Sequence, residues 1–237
     1  MRIALIADLH GNWPAVERLE RDLRARDADK LYCLGDIVGK GPSSDRTYDW
    51  AMANCDLNLG GNWDYFLAAR RFPADAFYWQ QLGSARMERL LSLPRERLMT
   101  LSGRRVRLFH GRPIMERLVH TQADEAEIEP FFADGEGGRY DVVGFADAHR
   151  QGLRTLSPGL FFNCGSVGNA LGEPRVCYAL MEGGDGADAP FELRFISMAY
   201  DRERAVRDAE QAPELPRCAA FIREVQTGRY SRATCDD

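Results

Sequence analysis

Four short polar motifs, Asp8-Leu9-His10, Gly35-Asp36, Gly61-Asn62-Trp63-Asp64 and His110-Gly111, hold the side chains of this sequence best suited to chemistry. Carboxylate, imidazole and carboxamide groups hold borderline and hard divalent ions such as Mn2+, Zn2+, Fe2+ or Mg2+, whereas thiolates select softer metals. No Cys stands at a matching place. Asp8 and His10 lie two apart, so in an extended segment both face one side and can hold one ion. Asp36 follows a glycine that permits a tight turn and close backbone approach. Its two oxygens can bridge a pair of ions. Each motif alone has a plainer explanation, since Asp-x-His can cap an element and Gly-Asp is a common turn. His110 alone would read as a satisfied core histidine and Asn62 as a turn residue. Their joint order reads as a metal centre.

The elements that must position these groups are visible in the apolar runs before them. Arg2-Ile3-Ala4-Leu5-Ile6-Ala7 precedes Asp8, Leu31-Tyr32-Cys33-Leu34 precedes Gly35, Leu57-Asn58-Leu59 precedes Gly60, and Val106-Arg107-Leu108-Phe109 precedes His110. Such runs suit buried parallel strands. In open α/β sheets ligands gather beyond the carboxyl ends of strands, so four strand ends deliver these side chains to one crevice. Helices are expected at about 14–26, 44–54, 65–70, 76–91 and 123–132, and later strands at 175–182 and 191–198. A hairpin turns at Ser102-Gly103, a second at Ser157-Pro158-Gly159, and a turn falls at Gly183-Gly184-Asp185-Gly186. Two amphipathic helices broken near Pro213 and Pro216 follow Asp201. No repeat or linker is evident, so residues 1–237 read as one domain, with 201–237 a helical tail packed on it. Two mixed sheets packed face to face with helices outside satisfy this pattern.

At 237 residues, with 45% hydrophobic and 28% charged content, the chain can form one sizeable soluble core. No run is long enough to span a bilayer, and no basic leader with a cleavage site opens the sequence. Six cysteines without Cys-x-x-Cys pairs suit a reducing cytosol, so a cytoplasmic location is expected. A net charge of −5 argues against broad nucleic-acid binding, which depends on neutralising phosphates with Lys and Arg. The basic clusters at Arg70-Arg71 and at Arg104, Arg105 and Arg107 read as solvated faces. No membrane partner is expected, and the oligomeric state is not legible.

Five segments together resemble the calcineurin-like metallophosphoesterases. They are Asp8-Leu9-His10-Gly11-Asn12, Leu34-Gly35-Asp36-Ile37-Val38-Gly39 with Gly41-Pro42, Gly61-Asn62-Trp63-Asp64, Phe109-His110-Gly111 and Asn163-Cys164-Gly165-Ser166-Val167-Gly168. The match is ordered and covers roughly residues 1–180. It is similar to the small bacterial and archaeal phosphodiesterase branch, above all to members with Trp in the third motif, which include streptococcal-type diadenosine tetraphosphate hydrolases. Met198-Ala199-Tyr200-Asp201 and the tail near Gly228-Arg229-Tyr230 look like the tail of that subgroup. The resemblance implies a four-layer α-β-β-α sandwich of two mixed sheets flanked by helices.

Carried over residue by residue, the resemblance implies a first ion held by Asp8, His10, Asp36 and Asp147, and a second by Asp36, Asn62 and His110. Asp36, Asn62 and His110 would be the catalytic set. The family's Gly-His-Thr-His reads Gly144-Phe145-Ala146-Asp147 here, so Phe145 removes a ligand of the second ion and Asp147 replaces an imidazole of the first. His149, two residues on, is the alternative to Asp147, which is placed first. Trp63 stands where the commoner family form has a His that protonates the leaving group. Trp63 is either a packed aromatic lid or a stacking platform for a nucleobase. Asn12 is foremost an N-cap before Trp13-Pro14, with phosphate contact as its second role. Lys40, on the loop after Asp36, can reach a substrate anion, although an exposed loop lysine is more often merely solvated. The 163–168 loop reads as scaffold beneath the site.

The function expected is a metal-dependent phosphohydrolase that cleaves a phosphodiester or phosphoanhydride bond of a small phosphorylated substrate such as a nucleotide. An intact pair of ions implies in-line attack of a metal-bound hydroxide on phosphorus. Two divalent ions are expected, Mn2+ first, with Zn2+, Fe2+, Ni2+, Co2+ or Mg2+ as alternatives. The rival is a catalytically degenerate scaffold or binding protein of the same fold, for which the retromer subunit is the precedent.

Overall fold

Side-chain alternation in the first strand sets up the layers. Ile3 and Leu5 face one apolar core while Ala4 and Ile6 face another, so the strand is buried on both sides. The computed structural model describes residues 1–232; Cys235 and the end of the expected tail lie outside the described residues. In chain order the elements are β1 (Arg2–Ile6), α1 (Trp13–Leu23), β2 (Lys30–Cys33), α2 (Ser44–Asn54), β3 (Leu57–Asn58), α3 (Asn62–Ala68) and α4 (Ala76–Leu91). There follow β4 (Glu96–Leu101), β5 (Arg104–Phe109), α5 (Glu125–Ile128), β6 (Val142–Phe145), β7 (Gly152–Thr155) and β8 (Leu160–Asn163). The chain continues with β9 (Val176–Glu182), β10 (Glu192–Met198), α6 (Arg202–Glu210) and α7 (Cys218–Thr227).

One sheet has the order β10-β9-β1-β2-β3 and the other β4-β5-β6-β8-β7. Within the first, β1, β2 and β3 run parallel, and within the second so do β5, β6 and β8. Three cores separate four layers. Ile3, Leu5, Val106, Leu108 and Phe162 fill the space between the sheets. Ala4, Ile6, Val16, Leu82 and Phe221 lie between the first sheet and the helices α1, α4 and α7. Phe109, Phe132, Val143, Phe145 and Phe161 lie outside the second sheet, beneath α5. Fully burying side chains of this size contributes roughly 1.5–3 kcal/mol each. The mixed two-sheet sandwich is therefore the observed architecture.

Some local expectations change. Helix α4 carries Gly83 at φ 69°, ψ 168°, which interrupts the helical backbone. The helix expected over 123–132 is a single α-helical turn followed by a 3-10 turn at Glu129–Phe132, because Pro130 lacks the N–H that would continue it. Helix α3 starts at Asn62, so a candidate ligand is the first helical residue. The tail packs through α6 on α1, where Arg204 pairs with Glu17. Among the described residues, no helix is long and apolar enough to cross a membrane.

Candidate metal centre

Loops leaving β1, β2, β3, β5 and β6 all emerge on the same side of the sandwich, because these strands are parallel within each sheet and their ends meet where the sheets meet. Asp8, His10, Asp36, Lys40, Asp147 and His149 all have positive φ, between 46° and 61°. Such backbone costs a non-glycine residue roughly 1–2 kcal/mol. Its concentration here marks a site held in place by its surroundings. The sharing of one side by Asp8 and His10 thus comes from left-handed turns and not from extended alternation. Asp8 N–H donates to Gly35 O at 2.9 Å and His10 N–H to Asp36 O at 3.2 Å, which fixes the two turns against each other. Gly35 is itself at φ 113°, and a Cβ there would lie 2.6 Å from Gly61 N and 3.0 Å from His110 Nδ1.

Three imidazoles are oriented in the same way. Nδ1 of His10 lies 3.2 Å from Val38 O, Nδ1 of His110 3.0 Å from Leu34 O, and Nδ1 of His149 2.6 Å from Asn169 O. A carbonyl only accepts, so each Nδ1 carries a proton and each neutral ring turns an acceptor Nε2 inward. Those nitrogens meet each other and the carboxylates. His10 Nε2 is 3.3 Å from His149 Nε2 and 3.5 Å from Asp36 Oδ2, and His149 Nε2 is 3.6 Å from Asp8 Oδ1. His110 Nε2 is 3.3 Å from Asp36 Oδ2. The ligand atoms of Asp8, His10, Asp36 and His149 all lie within 4.8 Å of one another, in a fully buried group.

Acceptors facing acceptors in a buried space require a cation between them. Asp8 Oδ1 and Oδ2, Asp36 Oδ2, Asn62 Oδ1 and His110 Nε2 are buried with no hydrogen-bond partner among the described residues. The residues present therefore fit a divalent ion: Asp8, His10, Asp36 and His149 would hold one. Asp36, Asn62 and His110 turn further unpartnered atoms inward. A proton is the competing way to offset the two carboxylates. Burial alone would lower His110, but Asp36 and Asp8 carry it up to about 10. Burial and then the nearby Lys40 hold His10 and His149 far below the ordinary histidine range.

Asp147 does not stand among these ligands, which corrects its placement ahead of His149. Its carboxylate accepts Arg112 Nε at 2.8 Å, Arg112 Nη2 at 2.6 Å and the Arg112 backbone N–H at 3.1 Å. Burial would raise Asp147, yet this pairing holds it at about 2. Phe145 packs outward, its ring centroid 4.6 Å from that of Phe161, and turns no polar group toward the centre.

Asn12 stands at the N-cap position of α1, as expected, but its side chain makes no cap hydrogen bond. Its Nδ2 donates instead to Gly168 O at 2.7 Å and to the Tyr200 hydroxyl at 3.0 Å, and the residue does not line the cavity beside the cluster. Lys40 is buried and not loop-exposed, with Nζ 3.0 Å from Asn169 Oδ1 and 3.2 Å from His149 Nε2. Burial, then Arg232, lowers its ammonium to about 8. Trp63 is half-buried, edge-on to His10 and Tyr78, with the cations of Lys40 and Arg232 5.9 and 5.7 Å from its ring. These neighbours make it part of the cavity wall.

Asp64 has a role that no motif reading assigned. Its carboxylate accepts the backbone N–H groups of Asp36, Ile37 and Gly61 at 2.8, 3.0 and 2.9 Å, locking the second and third motifs together. Burial and then Asp36 raise its carboxyl to about 7. The 163–168 loop supports the first motif from below, with Gly168 N–H donating to Asp8 O at 2.8 Å. A Cβ on Gly168 would lie 2.0 Å from Leu9 O, so nothing larger fits. A cavity of about 470 Å3 opens over the cluster, lined by Asp36, Lys40, Trp63, Arg112, His149 and Arg232 among others.

Two mixed sheets whose parallel strand ends converge on buried carboxylates and imidazoles define the class of the metallophosphoesterases. The chain belongs to the calcineurin-like phosphoesterase superfamily, whose domain profile matches residues 1–186, and its class is that of phosphoester hydrolases. It is 25% identical over 229 residues to the uncharacterized protein MJ0912 of Methanocaldococcus jannaschii, across 86% of this chain and 89% of that one. In fold it is similar to a metallophosphoesterase from Sphaerobacter thermophilus, with TM-score 0.71, 23% identity and coverage of 97% and 100%. It is also similar to the hypothetical protein PH1004 from Pyrococcus horikoshii OT3, with TM-score 0.74, 19% identity and coverage of 97% and 99%.

Proposed function

We propose that the centre makes this protein a metal-dependent phosphohydrolase acting on a phosphodiester or phosphoanhydride bond of a small nucleotide. The observation that carries the reading is the convergence of buried, unpartnered ligand atoms from Asp8, Asp36, Asn62 and His110 beside a cavity with a basic wall. Its volume of about 470 Å3 suits a nucleotide-sized ligand. Bound divalent ions would polarise phosphoryl oxygens and acidify a water. Mn2+ is the first expectation, and two ions are proposed.

The chain's own groups have separable tasks in this reading. Asp8, His10, Asp36 and His149 would hold the first ion, the two imidazoles being oriented by the backbone carbonyls of Val38 and Asn169. Asp36, Asn62 and His110 would hold the second, should one bind. Lys40 directs an ammonium at the phosphoryl oxygens, and Arg112, whose Nε and Nη2 are held by Asp147, flanks them with its remaining Nη1. Purified protein loaded with Mn2+, Co2+, Ni2+ or Zn2+ is expected to hydrolyse bis-p-nitrophenyl phosphate or dinucleoside polyphosphates; the reading is falsified if it hydrolyses neither. Asp36→Ala should abolish turnover, and undiminished turnover in that variant would point to a contaminant. Phe145, an apolar residue at a former ligand position, favours the rival scaffold reading. Metal-free protein that cannot be reconstituted would decide for it.

A further inference from the structure

Arg232 is an unusual guanidinium. It is 8% exposed, its Nε donates to Glu224 Oε2 at 3.1 Å, and its Nη1 and Nη2 are buried without a partner among the described residues. It lies over the Trp63 ring and lines the same cavity as Asp36 and His149. A continuous network joins it to the first ligand set. Glu224 Oε2 also accepts Asn169 Nδ2 at 3.1 Å, Asn169 Oδ1 accepts Lys40 Nζ at 3.0 Å, and Lys40 Nζ is 3.2 Å from His149 Nε2. A half-paired buried guanidinium is costly unless an anion completes it. Its fork matches phosphate oxygens.

Asp36 and Asp147 are the carboxylates among the described residues lining the cavity, and Asp147 is taken by Arg112. A phosphate seated at the metal ligands beside Lys40 leaves the two Nη atoms of Arg232 for a second phosphate next to it. We infer that Arg232 and Lys40 form a second phosphate subsite beside the metal ligands, which makes phosphoanhydrides the substrate class. This rests on the phosphohydrolase reading above. The reaction remains a hydrolysis: water's oxygen bonds to one phosphorus, the bridging P–O bond breaks, and water's protons pass to the departing phosphate and to solvent.

Calorimetric titration of the Mn2+-loaded protein with imidodiphosphate, an anhydride analogue with NH in place of the bridging oxygen, tests the subsite without turnover. Arg232→Met and Lys40→Met are each expected to weaken binding at least tenfold. Unchanged affinity in folded Arg232→Met overturns the inference; if that variant does not fold, unchanged affinity in Lys40→Met does so. In turnover, Arg232→Met should cut kcat/KM for diadenosine tetraphosphate at least tenfold more than for bis-p-nitrophenyl phosphate. Equal losses on both substrates also overturn it. Arg232-dependent imidodiphosphate binding by a protein that hydrolyses neither substrate would leave the subsite standing and refute the phosphohydrolase reading instead.

Discussion

His10 Nε2 and His149 Nε2 face each other at 3.3 Å, each with its Nδ1 directed at a backbone carbonyl. Two imidazole lone pairs at that separation repel unless a cation lies between them. The relationship places His149 in the buried cluster with Asp8, His10 and Asp36 that could hold an ion.

His149→Ala should therefore lower bound metal per chain and weaken metal affinity by at least tenfold, read by elemental analysis after dialysis. Asp147→Asn should retain the parent's stoichiometry, because Asp147 serves Arg112. Metal loss in Asp147→Asn with retention in His149→Ala would reverse the assignment.

Metal uptake should release protons. With its pKa up at about 10, His110 is protonated through neutral pH, whereas a ligating imidazole must be neutral. Raising pH from 6 to 9 removes the competing proton progressively and should tighten apparent metal affinity. An indicator dye in weakly buffered solution reports the release. A pH-independent affinity with no proton released refutes it.

Asp64→Ala should destabilise the protein and disorder the centre together. It strands the buried N–H groups of Asp36, Ile37 and Gly61, at about 1–3 kcal/mol for each unsatisfied donor. A fall in Tm with weakened metal binding is expected, and Asp64→Asn, which keeps one acceptor oxygen, should fall less. A parent-like Tm in Asp64→Ala would show that other acceptors replace the carboxylate.

Phe161→Ala separates stability from chemistry. Phe161 is fully buried against Phe145, Phe131 and Phe132, on the face of β8 away from the inter-sheet core. Its truncation should cost about 3–5 kcal/mol in denaturant unfolding. Metal per chain should not change below the melting transition. A stoichiometric loss in folded protein would mean that the outer core sets ligand geometry.

Strand-ending motifs were legible because alternation and turn residues leave a local imprint: the runs before Asp8, Asp36 and His110 are strands, and 44–54 and 76–91 are helices. The cluster of Asp8, His10 and Asp36 was likewise readable from residue type. What escaped depends on partners distant in sequence. Nothing near Asp147 announces that Arg112 binds its carboxylate, and nothing near Lys40 announces burial beneath Asn169. The two-residue spacing of Asp8 and His10 implies an extended segment, whereas the chain turns left-handed there and hydrogen-bonds to Gly35 and Asp36. Asp64 had one readable signal, its place three residues after Gly61 at a helix start, which favours a carboxylate reaching back to backbone N–H groups.

Arg232 in the cavity wall follows α7, whereas Asp8, His10, Asp36 and His149 of the cluster all precede β7. At about 5–20 residues per second a ribosome exposes the complete ligand set several seconds before Arg232 emerges. A chain made from its N-terminus thus has the clustered carboxylates and imidazoles in hand before the guanidinium that walls them.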